Sequence, residues 1–510
     1  MDVSGLPQEW QDAFRRDLVE RPALPDPAPE RRLARLLGAF VISGLFYMML
    51  PGTILGVWNL VGISSQQELA AVSTAWIQAH GHAQFFGWVG TFIFGISLYT
   101  LPKFRGALCR SVPLGWVIWV MWVGGVGLRW FAGIQSRIHL WEFRLSAALE
   151  FAAVALLIWE VTLLGPKHRK RQAWEAPVFL GLGALCVLLG YQLLLTVGPL
   201  ISPALPAISD RLLISLAIWA FAFPVVLGYS VKFFPGLLGT RAANGNGLRL
   251  AAALLVIGCV GFAVEEPLLA AGATVMASAL AIWSLRPFHP PAGKPKTSGV
   301  YARYPDFARL AYIWLLLAAI LGFGVPRPGV LGASRHAFTV GFLATLIFAI
   351  GPRILPSFLN SRELWSPRLM GGSLILITVG CAIRVISEPL AYGGIVSIAW
   401  KTLPASAFAE LTAVILFGFN LAMSLATPIP SWFGRNQVNE RMTVYWLISS
   451  YPATRRLLVE HGLKALASVE AVPKTLSLAE AARADGVSPA VLIATLGDFF
   501  EHRLARSLRK

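Results

Sequence analysis

Long apolar runs recur along the chain between residues 34 and 425, with short polar segments between them. Each run is long enough for a helix to cross the ~30 Å hydrocarbon core of a bilayer. This pattern predicts an all-α, multi-pass membrane bundle of about twelve transmembrane helices. The predicted spans are 34–57, 76–102, 112–134, 142–164, 176–199, 210–235, 248–266, 268–285, 307–325, 334–358, 369–388 and 402–425.

Composition agrees with a membrane protein, since 56% of the residues are hydrophobic and 14% are charged, against about 25% charged in soluble domains. Residues 1–33 are polar and contain no apolar segment behind a short basic start, so we expect no cleavable signal peptide. The net charge of +17 reflects Lys and Arg in loops, and nucleic acid is not an expected partner. The four cysteines show neither metal-ligand spacing nor a disulfide framework.

The basic residues predict the orientation of the bundle, because Lys and Arg concentrate on the cytoplasmic side of membrane proteins. They lie in the N-terminal segment and in every second loop after it, whereas 58–75 and 199–209 contain neither Lys nor Arg. Both termini are therefore predicted to be cytoplasmic, and an even number of spans agrees. The basic segments are 1–35, 103–110, 167–171, 232–241, 286–303 and 353–368.

An internal repeat is indicated by the second, sixth and tenth spans, which end in similar proline-containing sequences. The prolines are Pro102, Pro235 and Pro356. The positions twenty residues before them hold His82, Ser215 and His336. We interpret the bundle as three pseudo-repeats of four spans, since internal repeats are common in membrane folds.

Charged residues lie within the spans at comparable positions in the first and third pseudo-repeats (blocks) only. Arg129 and Arg384 lie in the third and eleventh spans, and Glu150 and Glu410 lie in the fourth and twelfth. Two interpretations stay open. Either Arg129 pairs with Glu150 and Arg384 with Glu410 as ion pairs hidden from lipid, or Arg129, Arg335 and Arg384 neutralise the propionates of a haem while the two glutamates serve a proton path.

Four histidines, His80, His82, His139 and His336, are predicted near the periplasmic ends of spans. His82 and His336 occupy matched repeat positions, and imidazole is a common ligand of haem iron and of copper. We therefore predict a haem held between these two histidines. His80 is two residues from His82 and points to a different face, so it is assigned with His139 to a second metal site. The alternative for each is an ordinary histidine bonded to a neighbouring helix.

Two histidine-containing segments of the sequence resemble the NnrS family. They are residues 76–87, WIQAHGHAQFFG, and residues 335–341, RHAFTVG. The resemblance implies a twelve-span protein of the bacterial inner membrane that contains haem, b-type by expectation, and copper. It also implies a role in nitric oxide metabolism, denitrification or nitrosative stress, with nitric oxide as a gaseous ligand and a separate electron donor.

The layout is more remotely similar to the catalytic subunit of haem-copper oxidases, which has three blocks of four spans and low-spin haem ligands on its second and tenth spans. Those enzymes also need histidines on the sixth and seventh spans. Here the sixth span has Ser215 at the matched position, and the seventh has no histidine. We predict that the binuclear centre is absent, which leaves open whether the protein is an oxidoreductase.

Residues after Pro430 have a soluble composition and predict a small helical domain. Ser477 and Glu480 form a capping-box pattern, and Ser488 with Pro489 marks a further helix start. The segment resembles a small helical domain of bacterial redox-associated proteins, although Lys464 stands where a cysteine is usual, so we expect it to dock a cytoplasmic protein. The predicted organisation is a cytoplasmic segment 1–33, a transmembrane domain 34–430 and a soluble domain 435–510.

The sequence thus favours an NnrS-like, redox-active haem protein in the membrane. Two alternatives from other classes stay open. One is a transporter of metal or small molecules, which twelve spans with internal repeats allow. The other is a membrane sensor or assembly factor that acts through the C-terminal domain.

Overall fold

The computed structural model describes residues 5–20, 27–105, 111–135, 140–162, 172–198, 203–324, 327–359, 364–426, 440, 442–450, 453–469, 472–473 and 475–507. These residues form helices and connecting turns, which confirms the predicted all-α class. The chain divides into two compact units. The larger comprises 32–355 and 366–422, and the smaller comprises 1–31, 356–365 and 423–510.

Twelve helices within the described residues are long and apolar enough to cross a membrane, as the hydropathy pattern predicts. We number them spans one to twelve. They are Arg32–Gln66, Thr74–Phe104, Val112–Ile134, Leu140–Thr162, Glu175–Val197, Ala207–Leu238, Gly245–Ala263, Pro267–Leu285, Tyr304–Gly324, Val330–Pro356, Pro367–Tyr392 and Ala399–Leu425.

Span one runs nine residues beyond its predicted end at residue 57 and stops at Gln66. Pro51 lies inside it, within a π-helical segment, Met48–Ile54. The wider turns accommodate a residue that lacks a backbone N–H, so the helix continues through the apolar residues that follow. Hydropathy alone does not reveal this continuation.

Spans two, six and ten also contain π-helical segments. Such segments are rare in proteins, and those that occur often lie at functional sites. The segments are Ala83–Gly90, Ala217–Ala222 and Ala337–Ala344. Each begins one or two residues after His82, Ser215 or His336. The predicted threefold repeat is favoured by this shared irregularity, which places the same backbone distortion beside each matched position.

Spans two, six and ten form the centre of the larger unit. Aromatic contacts join all three, with ring centroids 6.2 Å apart for Phe85 and Phe221, 5.3 Å for Trp219 and Phe338, and 6.1 Å for Trp88 and Phe348. Their apolar windows are 94%, 61% and 78% buried, against at most 50% for the other nine spans described. Polar groups on these three spans are therefore shielded from lipid, where they are most costly.

The smaller unit combines helices from both ends of the described chain around one hydrophobic core. Trp10 and Ala13, on the helix Gln8–Glu20, are fully buried in it. The predicted capping box of Ser477 and Glu480 is confirmed at the start of Leu478–Ala484. The other helices are Val444–Ser450, Ala453–Glu460, Ala465–Ser468 and Pro489–Ser507. Nothing in the sequence indicated that the N-terminal helix shares this core.

Candidate functional site

His80 lies against span one, at the point where the π-helical segment ends. Its Nδ1 is 2.9 Å from the carbonyl oxygen of Gly52, so Nδ1 carries the hydrogen and donates it. The ring packs over Gly56, where a Cβ atom would lie 2.4 Å from the His80 Cε1 atom. A neutral histidine held in this way presents the lone pair of Nε2, and no hydrogen bond of the described residues occupies that atom.

His336 repeats this arrangement on span ten. Its Nδ1 is 2.9 Å from the carbonyl oxygen of Gly332, and 3.5 Å from Oε2 of Glu388. The Nε2 atom is again left without a hydrogen-bond partner among the described residues. His336 lies within electrostatic range of His80, and both rings carry their hydrogen on Nδ1.

His82 points away from His80, as their spacing predicts, and its Nε2 is 2.9 Å from Oε1 of Glu150. Glu150 on span four is fully buried, and its other oxygen accepts a hydrogen bond from Gln192. The Glu150 contact leaves Nδ1 of His82 available, whereas His80 and His336 both present Nε2. We pair His80 with His336 on this shared tautomer. The haem ligation predicted for His82 and His336 stays a prediction.

Arg129 is buried between spans two, three and four and the segment before span six. It donates to the carbonyl oxygen of Pro203 at 3.2 Å and to Oε1 of Gln78 at 3.5 Å, and it stacks 3.7 Å from the centre of the Phe143 ring. The predicted hydrogen-bonded pair of Arg129 with Glu150 is therefore wrong. Both oxygens of that carboxylate are taken by neutral or histidine donors instead.

Arg384 pairs with Glu388, one turn later on span eleven, through an Nε–Oε2 contact of 3.1 Å. The prediction of Glu410 as its partner is wrong, because the nearer acid on the same helix face takes the guanidinium. Gly332 makes room for Glu388, since a Cβ atom there would lie 1.8 Å from the carboxylate. Sequence reasoning missed Glu388, although its spacing of four from Arg384 was a usable signal.

Arg335 and Asp210 extend these charges across the centre of the unit. Asp210 on span six lies within electrostatic range of Arg335 and of Arg129. Arg335 in turn lies within range of Glu388. Charged side chains thus run from Arg129 through Asp210, Arg335 and Glu388 to Arg384. Glu150 also lies within electrostatic range of Arg129. Asp210 was missed because an acid near the start of a span looks like an ordinary interfacial residue.

Each of the three arginines has a buried N–H group without a hydrogen-bond partner in the described part of the chain. The atoms are Nε of Arg129, Nε of Arg335 and Nη1 of Arg384. Unsatisfied buried donors are costly, and guanidinium groups match carboxylates well. The donors therefore fit the propionate groups that the sequence assigned to these residues.

Glu410 on span twelve has a buried oxygen, Oε1, without a hydrogen-bond partner among the described residues. Its side chain packs on Gly380 of span eleven. One oxygen of this half-buried side chain is therefore buried without a donor, and its role in an ion pair or a proton path stays a prediction.

His139 lies outside the described residues, so the second metal site predicted for His80 and His139 stays a prediction. Within the described ranges, no group of three or more His, Cys, Asp or Glu side chains is arranged to hold a metal ion.

No protein-family model matches the chain, and no curated protein matches it. The resemblance to the NnrS family rests on the two histidine-containing segments of spans two and ten.

Proposed function

We propose that this protein is an NnrS-like redox protein of the bacterial inner membrane that binds a haem through histidines of spans two and ten. The observation that carries the proposal is the arrangement shared by His80 and His336. Each donates its Nδ1 hydrogen to a glycine carbonyl and leaves Nε2 available.

This arrangement is the one that metal-binding histidines use. A ligating imidazole commonly donates its second N–H to a carbonyl or carboxylate, which fixes the tautomer and the ring orientation. His336 has both kinds of acceptor, since Glu388 lies beside the Gly332 carbonyl. We assign His80 and His336 as the residues that would hold the haem iron, and Glu388 as the residue that positions His336.

The arginines complete the fit to a haem. Arg129, Arg335 and Arg384 hold unpartnered buried donors, and the carboxylates of propionate groups would be suitable acceptors for them. A bound haem would supply one-electron redox chemistry and an affinity for nitric oxide. The chain itself contributes a site shielded from lipid, fixed imidazoles and a preformed cationic cluster. Nitric oxide metabolism, with an external electron donor, is the setting that the NnrS resemblance supports.

The test is an absorption spectrum and a metal analysis of the full chain, purified in detergent after expression with haem supplied. We expect a Soret band and bound iron, both lost in His80→Ala and in His336→Ala. His82→Ala is the matched control, because it removes an imidazole from the same turn of the same span. A wild-type protein without a Soret band overturns the proposal, and the same analysis reports whether copper is bound as well.

A further inference from the structure

Glu410 and Glu150 occupy equivalent packing positions in two pairs of spans. A Cβ atom on Gly380 would lie 2.8 Å from the Cγ atom of Glu410, and one on Gly125 would lie 2.9 Å from that of Glu150. The same Cβ atoms would lie 3.1 Å from the backbone oxygen one turn before each glutamate, that of Ser406 for Gly380 and that of Ser146 for Gly125. The two carboxyl groups therefore leave their helices against the same kind of glycine contact.

Their hydrogen-bond partners nevertheless differ. Glu150 accepts from His82 on one oxygen and from Gln192 on the other. Glu410 has a buried Oε1 atom with no partner among the described residues. The repeat therefore gives one carboxyl group a complete set of donors and leaves its counterpart without one.

Arg384 on span eleven keeps one buried N–H group, Nη1, unpartnered among the described residues, yet makes no hydrogen bond to Glu410. Arg384 gives its Nε hydrogen to Glu388. His336, which matches His82 in the repeat, gives its Nδ1 hydrogen to the Gly332 carbonyl. No cation is therefore bonded to Glu410 in the described bundle.

The charged groups that face Glu410 lie on span eleven. Arg384 and Glu388 act on it with opposite signs, and the thiol of Cys381 is within its electrostatic range. Arg384 is bonded to Glu388 through Nε, so a carboxylate already accompanies that guanidinium group.

Spans one and ten also pack on span twelve. Met48 and Met49 of span one approach Gly418, and Phe348 of span ten stacks on Phe417 with centroids 4.0 Å apart. Between residues 36 and 66 the only ionisable side chain is a tyrosine, and between 337 and 352 there is none. These two stretches, 36–66 and 337–352, supply no compensating charge.

We propose that Glu410 is a proton-binding site inside the bundle, occupied by a proton at neutral pH and able to release it. An unpaired carboxylate in an apolar interior is strongly disfavoured, whereas the neutral acid is tolerated. The ligand is a proton, and the inference does not depend on the metal centre proposed above.

Infrared difference spectroscopy of the full-length protein at neutral pH tests the proposal. The spectrum of wild type minus Glu410→Gln is expected to show the C=O stretch of a protonated carboxylic acid. Glu150→Gln is the matched control, and its difference spectrum is expected to show a carboxylate signal instead. A carboxylate signal for Glu410 overturns the proposal.

A second measurement uses the wild-type chain, so it does not depend on a variant that folds. Dicyclohexylcarbodiimide adds to protonated carboxyl groups in apolar surroundings, and peptide mass spectrometry locates the stable acylurea. We expect an adduct at Glu410 that declines as the pH rises, and none at Glu150. Absence of both the adduct and the C=O band overturns the proposal, whatever the Soret spectrum shows.

Discussion

His82 and Glu150 are joined by a 2.9 Å hydrogen bond between spans two and four, in an interior where Glu150 has no exposed surface. The bond links a histidine from one of the two motif segments to a membrane-depth acid of the same block. It therefore explains why a polar residue persists in span four, and it fixes the orientation of the His82 ring, whose Nδ1 is the nitrogen not bonded to Glu150.

Replacing Glu150 with alanine is expected to destabilise the bundle by about 1–3 kcal/mol, because His82 and Gln192 would lose a buried acceptor. Thermal unfolding of the detergent-solubilised protein measures the effect. Glu150→Gln keeps an acceptor oxygen and should cost less. Equal stability of wild type and Glu150→Ala would show that the pair contributes nothing to folding.

Gly56→Ala is expected to displace the His80 ring, since the new Cβ atom would lie 2.4 Å from Cε1. Loss of the ring orientation should weaken metal binding by about 10- to 100-fold, as loss of outer-shell contacts does. Titration of the purified variant with haem, followed by absorbance, gives the affinity.

The matched control for that variant is Gly124→Ala in span three. A Cβ atom at Gly124 meets nothing within 4 Å, so haem affinity should be unchanged. If Gly56→Ala binds haem as tightly as Gly124→Ala does, then His80 is not a ligand.

Glu388→Ala is expected to cost about 3 kcal/mol or more of unfolding free energy, because it leaves the guanidinium of Arg384 without its buried partner. Adding Arg384→Ala should recover part of that loss, which a double-mutant cycle of unfolding measurements quantifies. Additive losses would mean that the 3.1 Å contact carries no coupling energy.

Trp10→Ala is expected to destabilise the smaller unit by about 3–5 kcal/mol, the usual cost of removing a fully buried large aromatic side chain. Limited proteolysis should then cleave the C-terminal helices faster, although the substitution lies near the other end of the chain. Trp116→Ala, at a tryptophan that is 38% exposed, provides the comparison. Unaltered proteolysis of Trp10→Ala would contradict the shared core.

The sequence predicted the helices well because hydropathy and length alone determine which segments can span a membrane. Even the weakest break, between spans seven and eight, was found from Glu265 and Pro267. The structure places Glu265 in the left-handed backbone region, with φ of 58°, and Pro267 at the start of the next helix. Two helix-ending signals therefore coincided in a short polar segment.

The partners of the polar residues were harder to predict, because pairing depends on which helix faces meet. Arg129 and Glu150 share a block and both bond to span two, yet they bond to different residues there, Gln78 and His82, and not to each other. The π-helical segments also escaped detection, since they rotate the faces of spans two, six and ten without changing their composition. The carbonyl oxygen that orients His80 belongs to a further π-helical segment, Met48–Ile54 of span one. No motif near His80 reveals this contact.

The core that Trp10 shares with the C-terminal helices also has a consequence for biosynthesis. Its N-terminal helix is made before any span, and its remaining helices are made after the last one. This unit can therefore assemble only when translation and insertion are complete. A chain with one span missing or skipped would leave the two parts of the core on opposite sides of the bilayer, so the unit acts as a built-in check on membrane topology.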